Sequence, residues 1–280
     1  MLAVAGVALA LAALLLIPSL GLVIALCLGI LALLGGTGIG TWIQLERARG
    51  LHSDEAIDGV RAVLRVLVAF ALVTPFWSLF DQKASTWVLA ANDMTKPSWF
   101  QPAQMQALNP ALVMALIPFN NIVLFPFLRR LGYEPTALRR MTAGIALSSV
   151  AWIAIGVIQL VIDGGTPTSI TWQMLPYLFL TLGEVLVSAT GVEFAYSQAP
   201  QSMKGAIMSF WYLGVTMGNL WVLLANAGLR NEAVISRIAQ TGISTTAFLM
   251  FAFAAFAALA AFAFGLYARR YKTADFYRNA

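Results

Sequence analysis

Two carboxylates and a lysine stand inside long apolar stretches of this 280-residue sequence. Asp81 and Lys83 lie in the segment FWSLFDQKASTWVLAANDM, and Glu184 lies in LGEVLVSATGVEFAYSQAP. A charge at bilayer depth is energetically costly, so such residues usually face a bundle interior or a water-filled cavity. Trp77 stands four positions before Asp81 and therefore shares its helix face. This pattern predicts a helix that lines the path of a polar solute.

Glu184 is predicted to lie near the middle of a membrane. It follows Trp172 by twelve positions, which is about 18 Å of helix at 1.5 Å per residue. Tryptophan favours the membrane interface, and the hydrocarbon core is about 30 Å thick. Ser188 and Gly191 fall on the same helix face as Glu184. One interpretation is a carboxylate that binds substrate or a proton; the alternative is a buried glutamate that pairs with a neighbouring helix for assembly.

Asp81 is a candidate for proton coupling. A carboxyl group taken out of water holds its proton more tightly, and a nearby cation loosens that hold. Such a group gains and loses a proton as its partner moves. Lys83 is the obvious cation, but two positions along a helix it points away from Asp81. It is therefore expected either to snorkel outward or to meet another helix.

Two further helices carry polar or small residues on one face. Asn109 and Asn120 are eleven positions apart and share a face. Both suit hydrogen bonding to a polar solute, and interhelical hydrogen bonds are the alternative. Trp211 shares a face with Gly214 and Gly218, whose Gly-x-x-x-Gly spacing predicts close helix packing. Trp211 itself either closes a cavity or packs in the core.

Composition indicates a membrane protein, because 60% of the residues are hydrophobic and only 10% are charged. Cys27 and His52 are the only residues of their types, which argues against an intrachain disulfide, a metal site and a Cys–His nucleophile. The sequence has neither a Walker A loop nor a dinucleotide-binding glycine motif. We therefore expect no cofactor and no enzymatic activity, with a membrane enzyme as the rival.

The apolar runs predict an all-α membrane protein with eight transmembrane helices. The predicted helices cover residues 2–17, 21–43, 59–91 (kinked near Pro75), 105–128, 137–162, 174–197, 203–229 and 245–267. The predicted organisation is a helical hairpin over 1–45, a cytoplasmic loop over 46–58, a six-helix unit over 59–270 and a cytoplasmic tail over 271–280. Helices 137–162 and 245–267 are nearly featureless and are expected at the lipid-facing periphery. Four polar helices and two plain ones resemble one half of a major-facilitator-type transporter.

Basic residues fall mainly on one side of the predicted membrane. Of 17 lysines and arginines, thirteen lie on one side, three lie on the other, and Lys83 lies within a helix. Cytoplasmic loops carry the excess of basic residues, so both termini are expected in the cytoplasm. The net charge of +5 is thus explained by topology, and no nucleic-acid partner is expected.

Four stretches resemble the proton-dependent oligopeptide transporters in order and spacing. They are FWSLFDQKASTW, QALNPALVMALIPFNN, LGEVLVSATGVEFAYSQAP and MKGAIMSFWYLGVTMGN. The resemblance corresponds to the second six-helix half of that family, and residues 1–45 resemble the two extra helices of its bacterial members. It implies an aspartate for proton coupling, Asp81, and a set of peptide-binding residues: Trp77, Asn109, Glu184, Ser188 and Trp211. Glu184 would receive the peptide amino terminus. No role is carried over for Lys83.

The signature Glu-x-x-Glu-Arg-Phe-x-Tyr-Tyr of the family's first helix has no match in this chain. The resemblance therefore implies a carboxyl-terminal half that needs a missing amino-terminal transporter half. The expected function is proton-coupled symport of di- and tripeptides across the bacterial inner membrane, with the chain inactive alone. The alternatives are a non-transporting membrane fragment or interaction subunit, and a carrier half for another small solute.

Overall fold

The computed structural model describes residues 2–17, 22–228 and 232–271, which form ten α-helices with short 3₁₀ and π segments and no named β-strand. The α-helices are α1 Leu2–Leu14, α2 Leu22–Arg47, α3 Asp54–Asn92, α4 Leu108–Phe119, α5 Phe125–Arg130, α6 Ala137–Asp163, α7 Met174–Gln198, α8 Lys204–Gly228, α9 Glu232–Ala239 and α10 Thr245–Arg270. The predicted all-α class is confirmed. The short helix α9 was not predicted.

Six helical stretches of the described chain are long and apolar enough to cross a bilayer, where eight were predicted. They are Leu28–Arg47, Ala56–Asn92, Pro102–Arg130, Ala137–Asp163, Ile170–Gln198 and Thr245–Arg270. Helix α1 has 13 residues, whereas a spanning helix needs about 20. Helix α8 is not among the six.

The connection between α2 and α3 is shorter than the predicted loop over 46–58. Helix α2 continues to Arg47, and α3 begins at Asp54. Ser53 caps α3, because its hydroxyl accepts a hydrogen bond from the Ala56 amide at 3.4 Å. Such a cap satisfies an amide that the first turn leaves free, which favours an early helix start. Residues 272–280 of the tail predicted over 271–280 lie outside the described residues.

The segment predicted as one helix over 105–128 changes its helical form three times. It begins as a 3₁₀ helix over Pro102–Ala107, continues as α4, becomes a π-helix over Asn120–Leu124 and ends as α5. Pro118 and Pro126 lie on either side of the π segment. Proline lacks an amide hydrogen and clashes with the preceding turn, so it disturbs regular α-helical bonding.

Helices α6 and α10, expected at the periphery, are well packed in the described bundle. Half of the α6 span and 39% of the α10 span are buried, against 6% of Pro102–Arg130. The Ser149 hydroxyl on α6 donates to the Ala254 carbonyl on α10 at 2.8 Å. Both helices also expose large apolar side chains, such as Val150 and Ile153 on α6 and Leu259 and Phe262 on α10, as a lipid-facing helix does, so their peripheral location stays a prediction.

Two contacts join the end of α3 to the start of α7. The Thr95 amide donates to the Thr168 carbonyl at 2.8 Å, and the Ile170 amide donates to the Thr95 carbonyl at 3.0 Å. One layer deeper, the Gln173 side chain donates to the Trp87 carbonyl at 2.9 Å. These bonds fix the relative height of the helices that carry Asp81 and Glu184.

Helices α6 and α7 cross at two glycines. A Cβ placed on Gly144 would lie 2.6 Å from the Gly183 carbonyl oxygen and 2.7 Å from Val187 Cγ2. Real Cβ atoms do not approach other atoms this closely, so any side chain at Gly144 must push α7 away. Gly183 directly precedes Glu184, and the crossing therefore also sets the position of that carboxylate.

We predict that Gly144→Ala destabilises the protein by about 1–3 kcal/mol through overpacking. The measurement is the thermal denaturation midpoint in detergent. Gly205→Ala is the matched control, because no atom lies within 4 Å of its added Cβ. That control should gain roughly 0.5–1 kcal/mol from the reduced freedom of the unfolded chain. Equal midpoints for the two variants would contradict the close crossing.

Candidate functional site

Asn109 and Glu184, both predicted as site residues, contact each other across two helices. The Asn109 Nδ2 donates to Glu184 Oε2 at 2.7 Å and to Thr181 Oγ1 at 3.0 Å. Asn109 is on α4, and the two acceptors are one turn apart on α7. The interhelical hydrogen bond that the sequence left open as the alternative for Asn109 is thus present, and it ends on the carboxylate in the middle of α7. Both side chains are half-buried.

Lys83 is buried, with 6% of its surface exposed. Its Nζ lies 3.1 Å from the centre of the Phe80 ring, one turn back along α3. Of the two alternatives left open for Lys83, outward snorkelling is not observed: the side chain turns inward onto an aromatic face, where a cation is attracted by the ring quadrupole. The charges of Glu184 and Asp81 both act on Lys83, although it forms no salt bridge with either in the described structure.

Asp81 is half-buried on α3, one turn after Trp77. Its charge acts on both Lys83 and Glu184, so the two carboxylates and the ammonium form one electrostatic group. This group combines residues 103 positions apart in sequence, since Asp81 and Glu184 come from α3 and α7. On the helix face that Asp81 is predicted to share with Trp77, the Trp77 ring contacts other aromatic side chains of the bundle.

Trp77 and Trp211 form an aromatic wall in which the ring of one meets the edge of the other. Their ring centroids are 6.0 Å apart at 89°, and Phe70 contacts Trp211 at 5.1 Å. Trp211 is 5% exposed. Its indole lies directly over Gly191, where a Cβ would overlap the ring. Trp211 is therefore packed in the bundle, and the absence of a side chain at Gly191 leaves the room that it occupies.

The Gly-x-x-x-Gly prediction is confirmed most clearly at Gly218. A Cβ there would lie 2.8 Å from the Ser78 amide nitrogen and 2.9 Å from the Trp77 Cβ. Gly214 is in ordinary contact with Phe70 and Thr74. The close approach of α8 to α3 at Gly218 holds the backbone that carries Trp77.

Ser188 and Asn120 do not join the hydrogen-bonded pair. Ser188 is half-buried one turn after Glu184 and makes no hydrogen bond with any described residue. Asn120 is 1% exposed, and both atoms of its amide are without a partner in the described chain. Asn121 instead donates to the Ile117 carbonyl of its own helix at 3.0 Å. The two asparagines on one face of the α4 segment thus differ: Asn109 binds the carboxylate and Asn120 does not.

The arrangement suits recognition of a cationic group next to an apolar surface. Glu184 offers the acceptor and Asn109 orients it. The aromatic wall meets α7 at Gly191, two turns after Glu184. Among the described residues, no group of three or more His, Cys, Asp or Glu side chains is placed to hold a metal ion. Carboxylates such as Glu184 and Asp81 can accept a cation or exchange a proton.

Sequence reasoning missed three parts of this site. It did not place Lys83 on Phe80, although their spacing of three residues puts them on one helix face. It did not identify Thr181 as a second acceptor for Asn109, and it did not pair Gly191 with Trp211. The last two contacts join residues that are far apart in sequence, and no local pattern marks them.

Comparison with known proteins gives a consistent family. The model of the POT family matches residues 40–242. A crystal structure of an auto-inhibited POT family peptide transporter superposes with a TM-score of 0.95 at 69% identity, covering 100% of this chain and 55% of that one. The structure of the POT family transporter PepTSo gives 0.90 at 63% identity, covering 96% of this chain and 53% of that one.

Curated relatives extend the likeness to animals. Solute carrier family 15 member 1 of Homo sapiens is 28% identical over 169 residues, which is 59% of this chain and 24% of the human protein. Peptide transporter 3 of Caenorhabditis elegans is 31% identical over 194 residues, covering 68% of this chain and 26% of that protein. The chain therefore spans about half of the solved transporters, and its alignments cover about a quarter of these animal relatives.

We predict that Asn109→Asp makes stability depend on pH. At about pH 8 two carboxylates would face each other within hydrogen-bond distance, whereas at about pH 5 they can share a proton. The variant should lose about 1–3 kcal/mol at the higher pH and recover at the lower one. Thermal denaturation at both pH values measures the change.

Asn92→Asp is the control for this prediction, because it adds the same charge at an exposed position at the end of α3. It should show little dependence on pH. If both aspartate variants respond alike, the Asn109–Glu184 contact is not the cause.

Proposed function

The chain belongs to the POT family, and on that premise we propose that it is the carboxyl-terminal half of a carrier for di- and tripeptides. The carrier would couple peptide entry to protons across the bacterial inner membrane. The observation that carries the proposal is the hydrogen bond from Asn109 to Glu184, in a bundle whose Trp77 and Trp211 rings meet two turns further along α7. Solved relatives at 62–69% identity are POT family transporters, which supports the same reading.

Glu184 would bind the peptide's ammonium group. A carboxylate with a fixed donor on one oxygen keeps its other oxygen for a cationic ligand, and charge-assisted hydrogen bonds are the strong ones. Asn109 and Ser188 would add polar contacts on either side of Glu184. Trp77 and Trp211 would form the apolar wall against the peptide's backbone and side chains.

Asp81 would carry the coupling proton. It shares an electrostatic group with Lys83 and Glu184, so a change in its charge alters the energy of a cation at Glu184. Its half-buried position leaves it reachable from the solute path. Protonation of Asp81 and binding of the ammonium at Glu184 are then linked events, as symport requires.

An amino-terminal transporter half would cover the exposed face of the α4 segment. Only 6% of Pro102–Arg130 is buried, although this segment carries Asn109. Its exposed apolar residues are Met114, Ile117, Phe119, Ile122, Val123 and Phe127. Alternating access in such carriers rocks two halves around a midplane site. The chain alone would therefore not complete a transport cycle. In this proposal the chain crosses the membrane eight times, twice in the α1–α2 hairpin and six times in the six-helix unit.

We predict that Glu184→Gln weakens binding of a free-amino dipeptide by at least roughly tenfold, which is about 1.4 kcal/mol. The protein tested is this chain joined to a matching amino-terminal half. The substitution keeps the shape and removes the charge that pairs with the ammonium. Binding of an amino-blocked dipeptide should change little, since it has no ammonium to lose. Calorimetry or a competition assay measures both affinities.

Glu193→Gln is the matched control, because Glu193 lies on the same helix with its side chain 69% exposed. It should leave both affinities unchanged. Asp81→Asn should separate the two roles: peptide exchange down its gradient persists and proton-driven accumulation is lost. If Glu184→Gln weakens free and blocked peptides equally in a folded protein, Glu184 is structural and the assignment is wrong.

We predict that both termini are cytoplasmic, because thirteen of the sixteen basic residues outside the helix interior fall on that side. A reporter active only in the periplasm should be silent when fused after Ala280. The same reporter fused after Trp99, in the connection between α3 and α4, should be active. The reverse pattern would overturn the orientation.

A further inference from the structure

A groove between α5, α6 and α7, here called the α6 groove, combines an apolar lining with two arginines. Its volume is about 340 Å³. Along α6 the lining begins with Arg139 and Arg140 in the first turn. It continues on the same helix through Ala143, Leu147 and Val150, and α5 and α7 contribute further apolar side chains. The α6 groove therefore has a cationic end and an apolar body.

The α6 groove is about as deep as one leaflet of a bilayer. Arg139 and Val150 are eleven positions apart on α6, which is about 16 Å of helix at 1.5 Å per residue. The hydrocarbon core of a bilayer is about 30 Å thick, so one leaflet supplies about half of that depth. Ala143, Ala146 and Val150 on this face are exposed. The groove is thus open to whatever surrounds the bundle.

Aromatic rings hold both guanidinium groups at the end of the groove. The guanidinium carbon of Arg139 lies 5.1 Å from the centre of the Tyr133 ring. That of Arg140 lies 5.1 Å from the centre of the Phe125 ring. The Nε of Arg140 is buried and has no hydrogen-bond partner among the described residues, and its Nη2 lies 3.7 Å from Glu193 Oε2, which is too far for a hydrogen bond. Because an unpaired buried donor is costly, an anionic oxygen at this end of the groove would stabilise Arg140.

The charge at this end of the groove is positive. From Arg129 to Arg140 the chain has four arginines and one glutamate. Glu193 on α7 adds one negative charge beside Arg140, which leaves a net charge of +2 when all these groups are ionised. The excess of basic residues in cytoplasmic loops accounts for arginines here, but not for an apolar groove that begins at two of them. Basic pockets between transmembrane helices bind the head groups of anionic lipids.

The α6 groove is not the face that we assign to an amino-terminal half. That face contains the exposed side chains of Ile122, Val123 and Phe127. The groove is lined instead by Leu124 and Leu128, which are four positions apart, share another helix face and are half-buried. An amino-terminal half and a ligand of the groove can therefore bind at the same time.

We propose that the α6 groove binds an anionic phospholipid from the leaflet on the basic side of the bundle. Arg139 and Arg140 bind its phosphate, because a guanidinium group can donate to two phosphate oxygens at once. Ala143, Leu147 and Val150 pack against one acyl chain, which fills the space between α5 and α6. The proposal requires that the chain lies in a membrane, and it does not depend on the transport of peptides or protons.

The test is native mass spectrometry of the full 280-residue chain in detergent, titrated with phospholipids that share the same acyl chains. The apparent dissociation constant of the first bound lipid is measured for phosphatidylglycerol, which is anionic, and for phosphatidylcholine, which is zwitterionic. Phosphatidylglycerol should bind at least roughly tenfold more tightly, because basic residues attract anionic head groups. Equal affinities would overturn the proposal. Displacement of phosphatidylglycerol by inorganic phosphate would also overturn it, because the arginines would then bind a free anion without an acyl chain.

Two double variants show whether the attraction comes from the groove. Arg139→Gln with Arg140→Gln should abolish the preference for phosphatidylglycerol and leave the affinity for phosphatidylcholine unchanged. Arg269→Gln with Arg270→Gln is the matched control, because it removes the same charge at the end of α10, on the side where Tyr271 contacts Gln198 of α7. The control should keep the preference. If both double variants weaken phosphatidylglycerol binding equally, the overall charge of the chain is the cause and the proposal is wrong.

Ala146→Phe tests the apolar part of the groove with both arginines in place. Ala146 lines the groove and is exposed, so a larger side chain fills the groove without entering the core. Binding of phosphatidylglycerol should weaken at least roughly tenfold. Ala258→Phe, at an exposed position of α10, is the matched control and should bind the lipid like the unmodified chain. An unchanged affinity in Ala146→Phe would overturn the proposal, because the acyl chain would then lie elsewhere.

Discussion

The hydrogen bond from Asn109 to Glu184 joins one of the two least buried spanning segments of the described chain to the most buried one. Only 6% of Pro102–Arg130 is buried, against 56% of Ile170–Gln198. In hydrocarbon an unpaired carboxylate is strongly disfavoured, so this bond satisfies Glu184 and holds α4 on α7 at the same time. In the proposed function the same side chain would serve assembly and also present a charge to a ligand. The two interpretations that the sequence left open for Glu184 are therefore compatible.

Close helix contacts at glycines fix the positions of the helices around this hydrogen bond. The Gly144–Gly183 crossing fixes α7 one residue before Glu184, and Gly218 brings α8 against the backbone beside Trp77. Gly191 leaves the space that the Trp211 indole fills. Close contact of backbones replaces the hydrophobic driving force that is absent between helices in a membrane. Charged and aromatic side chains are thereby held on helices that cannot easily shift.

Local pattern predicted much of this structure. Hydropathy located the six spanning stretches to within a few residues. Helical spacing placed Trp77 on the helix face of Asp81, and Asn109, selected as a polar residue on its own helix, bonds Glu184. Local sequence patterns did not predict the position of a residue or helix where that position depends on contacts with residues far away in the sequence. Helix α6 looked featureless in sequence but is half buried, because its small residues meet α7 and α10. Helical spacing left Lys83 either snorkelling outward or meeting another helix, and only the structure shows that it turns inward onto Phe80. The π segment at Asn120 follows from its flanking prolines only in hindsight.

The central claim is that Glu184 holds the ammonium of the peptide, and solid-state NMR tests it most directly. The carrier formed by this chain and an amino-terminal half would carry ¹³C-labelled glutamate side chains, and a bound dipeptide would carry ¹⁵N at its amino terminus. Dipolar coupling between the two labels reports direct contact. We expect coupling to a single glutamate carboxylate, present in the unmodified carrier and in Glu193→Gln, and absent in Glu184→Gln. Coupling that survives in Glu184→Gln while the peptide remains bound would contradict the account.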